Sequence, residues 1–343
     1  MFRNFFASPI ICIGSISKDI FLPTDEGVIV HTPEDITSKE KVAFEIGGKI
    51  SIPDRSEGIG GVAANVSVGL SRLGHRAACY SCVGDDEIGS WARKILSSEG
   101  VSTRFLKTLS DTSTDLSAII VLTGRGDRTI FHNRDANEKL QVREEDLARA
   151  EWVFVSSLNG DWKGNVHHIL EAKKRYGFRL ALNPGQHNIK SDGAFVLSLL
   201  KEVSVLMLNK DEAIELLLPS HPHEAGESLE DETILIRKLH AAGVPTLCLT
   251  DGRRGAWASD GKQIWQCAVP KRSEPVVDAT GAGDAFSSGF FGALLAGKTL
   301  DTALRYGMAN SQSVISAFSA TKGLLSKQAM ERAIEKCIPQ KIS

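Results

Sequence analysis

No stretch of the chain is apolar for long enough to cross a bilayer as a helix, which takes about 20 residues. Residues 1–6 are apolar with one arginine but run straight into a strand-like segment, so no signal peptide is read there. Neither sign of charge is in excess: 40 Lys and Arg stand against 42 Asp and Glu, a net −2. Without a basic field there is no electrostatic footprint for nucleic acid, and small anions must be met by local sites. Paired cysteines are lacking too. The six are scattered, and Cys79-x-x-Cys82, a redox or metal spacing in form, lies inside an apolar run with no second pair nearby. Reduced thiols and a cytoplasmic location are the expectation. What remains is ordinary. With 343 residues, 42% hydrophobic and 24% charged, the chain can build one large α/β domain or two smaller ones.

The most distinctive stretch is Asp278-Ala279-Thr280-Gly281-Ala282-Gly283-Asp284-Ala285-Phe286. A short apolar approach ends in an acid, small residues follow, and a second acid opens a helix patterned by Phe286, Phe290, Phe291, Leu294 and Leu295. Small residues let backbone approach a ligand closely. The first amides of a helix lack internal partners and sit at the positive end of its dipole, which suits phosphate. Asp284 would repel phosphate unless it has separate work, such as taking a proton from an attacking hydroxyl. The plainer account is a glycine turn with two acids capping a helix.

The rest of the chain alternates. Residues 9–14 read as a buried strand, followed by Asp19 on a loop, where an α/β sheet gathers its ligands. Residues 21–54 are polar and turn-rich, with β-like pieces at 27–31 and 42–52, and read as a small accessory sheet. Gly58-Ile59-Gly60-Gly61 opens a helix to about residue 73, with Asn65 just inside it. Residues 117–122 and 128–131 flank a turn at 123–127 and read as a hairpin. Its Arg125 and Arg128, with Arg134, are taken as solvated charges, contact with a phosphorylated acceptor being the alternative. From residue 151, strands at 152–156, 179–182, 203–208 and 246–249 alternate with helices, which implies a doubly wound, mainly parallel sheet. Asn209-x-x-Glu212 begins one helix and is by itself a capping box. Thr250-Asp251-Gly252-Arg253-Arg254-Gly255 is a glycine-rich turn at a strand end, a generic nucleotide cradle. His221, His223 and Glu224 read as a polar loop rather than a metal site. Residues 292–299 spell the Walker A formula, but at the C-terminal end of a helix, where no strand precedes them.

Residues 278–286 resemble the C-terminal signature of the ribokinase-like (PfkB) carbohydrate kinases. Gly60-Gly61-x-x-x-Asn65 resembles their N-terminal signature, and Asn209-x-x-Glu212 and Thr250-x-Gly252-x-x-Gly255 resemble their phosphate and ATP elements. The resemblance covers about residues 10–334. It implies a three-layer α/β/α sandwich in one domain, 1–343, with a small β-sheet lid from about 21–54 and 113–135. It implies ATP and magnesium as cofactors, with Asp284 as base and Gly281, Ala282 and Gly283 as anion hole. Asp19, Gly60, Gly61 and Asn65 would hold the acceptor. Asn209, Thr250, Gly252, Gly255 and Asn310 would meet ATP, and Glu212 would order magnesium through water. Asp278 and the Thr280 carbonyl would help hold a potassium ion. The acceptor is expected to be a sugar, with a nucleoside as the alternative; a non-catalytic sugar-binding regulator is the third reading. No nucleic-acid or membrane partner is expected, and bare sheet edges in the lid invite pairing of two copies.

Overall fold

In a computed structural model, which describes residues 9–32, 40–123, 128–218, 229–271 and 276–342, the first apolar run becomes β1 (Ile10–Ile13). Its side chains alternate between two cores: Ile10 and Cys12 enter one, Ile11 and Ile13 the other. A strand covered on both faces needs no polar alternation, which is why the run is continuously apolar. The chain continues with β2 (Ser17–Thr24), β3 (Val28–His31), β4 (Glu40–Ala43), β5 (Ser56–Gly60), α1 (Val62–Arg72), β6 (Ala77–Gly84), α2 (Glu87–Ser98), β7 (Leu106–Leu109), β8 (Leu116–Leu122) and β9 (Arg128–Asn133). Then come β10 (Trp152–Val155), α3 (Trp162–Tyr176), β11 (Arg179–Leu182), α4 (Gly185–Leu199), β12 (Val205–Asn209), α5 (Lys210–Leu217), α6 (Glu232–Ala241) and β13 (Leu247–Asp251). The last elements are β14 (Gly255–Ser259), β15 (Ile264–Cys267), α7 (Ala282–Leu295), α8 (Leu300–Val314), α9 (Lys327–Ala333) and β16 (Pro339–Lys341).

The large sheet has the order β16-β15-β14-β13-β12-β11-β10-β1-β6-β7. From β7 to β13 every pairing is parallel, and β14, β15 and β16 add an antiparallel edge. One core lies between the sheet and α1, α2, α7, α8 and α9; the other lies under α3, α4, α5 and α6. The result is the expected three-layer α/β/α sandwich. A separate four-stranded sheet, β5-β2-β8-β9, and a ribbon, β3-β4, stand apart from it. Phe21, Ile119 and Val121 form the small core of the four-stranded sheet, closed by Phe318.

Several local expectations change. Asp19 is on a strand, not a loop: β2 pairs antiparallel with β5, which puts Asp19 opposite Gly58. The glycine approach to α1 is therefore itself a strand. The second β-like piece is confined to Glu40–Ala43, and α4 starts at Gly185, with Asp192 breaking its helical geometry. Cys79 and Cys82 are three residues apart on β6 and face opposite cores, so they share no site. The Walker-like letters at 292–299 fall across the end of α7, where Gly297 takes φ +70° and no strand leads in. Residues 221–224 and Arg125 lie outside the described residues. No helix among the described residues is long and apolar enough to cross a membrane.

Candidate active site

All seven parallel strands end on one edge of the sheet, and α7 begins there. Gly281 precedes α7 with φ +76°, a left-handed turn that a side chain resists, and a Cβ on it would collide with Ala320. This turn exposes the helix start. The amides of Gly281, Gly283 and Asp284 have no hydrogen-bond partner among the described residues, whereas that of Ala282 donates to the Ala279 carbonyl at 3.2 Å. The expected Gly-Ala-Gly hole is thus open at its two glycines, and its alanine amide is turned inward. A Cβ on Gly283 would meet nothing within 4 Å. Packing within the protein does not call for glycine there, and Gly283 lines the cavity described below.

Asp284 sits in the first turn of α7. Asn65 Nδ2 donates to its Oδ2 at 2.8 Å, joining two motifs 219 residues apart. The contact is made possible one turn further along. Gly69 and Ser288, each four residues on, touch so closely that any Cβ on Gly69 would collide with Ser288. Burial lifts the Asp284 carboxyl to about 6; the Asn65 bond opposes this, and the nearby Asp19 charge adds to it. Asn65 is itself 4% exposed, and its Oδ1 is buried without a partner. A buried acceptor left unpaired is costly, so this oxygen is available to a ligand hydroxyl.

Asp19 is 6% exposed and accepts from Ser17 Oγ at 2.9 Å. Burial raises its carboxyl, the hydroxyls of Ser17 and Ser117 pull it back, and Asp278 raises it further. Gly60 must be glycine because a Cβ would run into the Asp19 carboxylate. Gly61, at φ +88°, would meet the Ser15 carbonyl. Ser15 was not anticipated: its Oγ accepts from the Val62 amide at 3.2 Å and so caps α1. Also unforeseen is the buried Asn137. It donates to Asp115 Oδ2 at 2.6 Å and to the Ile16 carbonyl at 2.7 Å, tying the Ser15–Ser17 turn to the foot of β8. Nothing local in the sequence marks it.

On the other side of α7 a cavity of about 210 Å³ is lined by Asn183, Asn209, Glu212, Thr250, Gly283 and Asp284, among others. Asn209 and Glu212 form a reciprocal capping box: Glu212 N donates to Asn209 Oδ1 at 2.8 Å, and Asn209 N donates to Glu212 Oε2 at 3.0 Å. The plainer reading of that pair therefore holds, and the cap also fixes Glu212 against the cavity. Burial raises the Glu212 carboxyl. The Asn209 bond opposes this, while Glu215, Asp211 and Asp284 add to it. A larger cavity of about 1,210 Å³ runs from Gly252, Ala282 and Ile315 on the sandwich to Val42, Ile120 and Phe131 on the ribbon and lid.

The profile of the pfkB family carbohydrate kinases matches residues 10–327. The chain belongs to the pfkB family of carbohydrate kinases. It is 30% identical over 272 residues to a ribokinase of Haemophilus influenzae, covering 77% of this chain and 81% of that one. It is 32% identical over 246 residues to a fructokinase of Klebsiella pneumoniae, covering 69% and 77%. Its fold superposes on Arabidopsis thaliana ribokinase complexed with ribose and ATP at a TM-score of 0.76 with 21% identity, covering 96% of this chain and 99% of that one.

Other expected site residues of this carbohydrate kinase fall as follows. Asn310 is fully buried. Its Nδ2 donates to the Ala285 carbonyl at 2.9 Å and to Ser288 Oγ at 3.2 Å, and its Oδ1 accepts from Leu325 N at 2.9 Å. Buried and with both amide protons engaged, it braces α7 against α8. Gly255 opens β14 at φ +99°, wedged against the Cys267 carbonyl, so sheet packing explains it, whereas Gly252 stands free in the open. Asp278 is fully buried. Its Oδ1 accepts from Thr280 N at 3.0 Å and Thr280 Oγ1 at 2.8 Å, while its Oδ2 has no partner. A polar groove of about 720 Å³ beside α3 shares no residue with this site.

Proposed function

We propose that this kinase transfers the γ-phosphate of ATP to a primary hydroxyl of a sugar, with Asp284 as the base. The observation that carries the reading is the Asn65–Asp284 hydrogen bond at the mouth of the α7 helix. It puts a carboxyl able to take a proton, an unpaired buried amide oxygen and a row of free backbone amides at one point. Asp19 and Asn65 hold acceptor hydroxyls, and Gly60 and Gly61 let the acceptor approach the backbone. Asp284 takes the proton as the hydroxyl oxygen attacks phosphorus. The amides of Gly281 and Gly283 meet charge on the transferring group, a large contribution in phosphoryl transfer. The loop from Thr250 to Gly255 and the turn at Asn209 flank the nucleotide.

Glu212 and Asp284 line the same cavity, an acidic pair that fits a divalent cation carried with the nucleotide. Glu212 would reach magnesium through water, since that ion keeps much of its hydration. Bound there it would neutralise phosphate charge. The orphaned Asp278 Oδ2 fits a potassium ion, held with the Thr280 carbonyl. Two copies pairing through the lid are part of the same proposal: β9 is exposed along its length, with Phe131 60% exposed.

The test is Asp284→Asn, assayed for ADP release over a panel of pentoses, hexoses, keto-acid sugars and nucleosides. Turnover is expected to fall by roughly 10²–10⁴ while ADP binding, measured by calorimetry, survives. Turnover near that of the wild type overturns the base assignment, and a panel answered only by nucleosides overturns the sugar.

A further inference from the structure

The two arginines of the 250–255 loop have different fates. Arg253 lines the larger cavity. Arg254 turns away from it onto Glu232, the first residue of α6, with Nη1 2.8 Å from Oε1 and Nη2 3.1 Å from Oε2. Glu232 is 6% exposed and accepts a second cation, Lys210 Nζ, at 2.9 Å. Lys210 is nearly as buried. It donates to the Glu230 carbonyl at 2.7 Å and stands 3.8 Å from Asp251 Oδ2, which is also 3.6 Å from Arg254. One enclosed carboxylate thus holds two cations, and both cations face the same second acid.

These charges belong to the segments proposed to flank the nucleotide. Lys210 lies in the chain between Asn209 and Glu212. Asp251 and Arg254 flank Gly252. The tip of that loop is open at Gly252, where a Cβ would meet nothing within 4 Å. It is held from behind, by charge. Forked Arg–carboxylate pairs fix direction as well as distance. A buried carboxylate resists leaving its place, because moving it away from its cations leaves an uncompensated buried charge.

We infer that Glu232 and Arg254 are positioning residues for the nucleotide, setting the 250–255 loop against the Asn209–Glu212 turn. The inference rests on the kinase reading above, which places the nucleotide between those segments. Neither residue touches the reacting atoms. Their loss weakens nucleotide binding and leaves acceptor binding alone, a split that a purely structural ion pair does not produce.

The experiment compares the full-length protein with Arg254→Ala, Arg254→Lys, Glu232→Gln and, as a distant control, Arg179→Ala. Arg254 is 58% exposed along its side chain, so truncating it opens no cavity. Arg179 pairs with the exposed Glu151 at 3.0 Å and lies over Trp152, at the start of β11 and so at the opposite end of the strands from the loop. ADP affinity is read by calorimetry. KM for ATP and for the panel sugar turned over fastest is read by ADP release. The expected result for Arg254→Ala and Glu232→Gln is a loss of about tenfold in ADP affinity and a rise of about tenfold in KM for ATP. Arg254→Lys recovers part of the loss, Arg179→Ala shows none, and KM for the sugar is unchanged in all. ADP affinities within twofold of the wild type for both Arg254→Ala and Glu232→Gln overturn the inference, as does a parallel rise in the sugar KM. A wild-type protein that binds no ADP removes the nucleotide reading itself and this inference with it; binding by wild type and variants alike removes this inference alone.

Discussion

Asp284 is useful because of where it is held. A carboxyl free in water is a weak base, mostly ionised and well hydrated; this one is lifted to about 6 by burial. Two consequences follow with opposite signs. As the proposed base it must be ionised, so kcat/KM should fall tenfold per pH unit below about 6 and level off above it. As part of the folded state it prefers its proton. Its pKa is raised above the unfolded value, so its favourable contribution is present at low pH and is lost as the pH climbs through the folded pKa. Carried from 3.8 to about 6, the ionised group costs the fold roughly 2–3 kcal/mol at neutral pH, nearer the lower figure because its edge reaches solvent. Asp284→Asn removes that charge. The variant should melt above the wild type at pH 8 and close to it at pH 4, while its turnover is lost. Scanning calorimetry at the two pH values decides it; an equal shift at both means that the gain is not electrostatic.

At the scale of elements, the site depends on how closely α1 and α7 approach. Asn65 and Gly69 on one helix lie opposite Asp284 and Ser288 on the other, and both pairs have the i, i+4 spacing that puts residues on one face. A methyl group at 69 would strike Ser288 and push the helices apart where Asn65 reaches across. Gly69→Ala is expected to lower kcat at least tenfold with ADP affinity kept, and Gly69→Ala combined with Ser288→Gly to regain part of it. If the double variant is no better than the single, the loss does not come from helix spacing. Such approaches are hard to see in sequence: Gly69 reads as one more small residue on an apolar face. The parallel strands were legible because burial on both sides leaves plain apolar runs such as 10–13. The strands β2 and β5 were not, since one of their faces carries Ser17, Asp19 and Gly58, which break the apolar alternation. Asn310 misled for a related reason. A family position suggested a ligand, but the run Tyr306–Asn310 is buried throughout, and a polar residue inside such a stripe more often serves the core. The Asn209–Glu212 pair was legible as a helix cap, and the same cap holds Glu212 against the cavity.

On the scale of the whole molecule, the sandwich brings the ends of β1, β12 and β13 to one edge, and the four-stranded sheet closes over it. Phosphoryl transfer to an alcohol needs water kept out, because water accepts phosphate as readily and is always present. The four-stranded sheet meets the segment after α8 through Phe21, whose ring lies 6.2 Å from that of Phe318 at 43°. Ile119 and Val121 complete the contact. Asp19 stands two residues before Phe21 on the same face of β2, which puts this apolar contact beside it. Phe318→Ala should loosen the contact without touching a polar group of the site. The expected signature is a severalfold rise in ATP hydrolysis without acceptor, together with slower phosphorylation of the sugar, so that the ratio of the two rates changes more than either. Phe318→Leu, which keeps an apolar plug, should lie between. The check is ADP release with and without acceptor, alongside direct measurement of phosphorylated product. If both rates fall together and their ratio stays at the wild-type value, the contact supports the fold but does not exclude water. The work of closing the site then belongs to the acceptor itself, which would have to displace the last waters as it fills the space between Asp19 and Asp284.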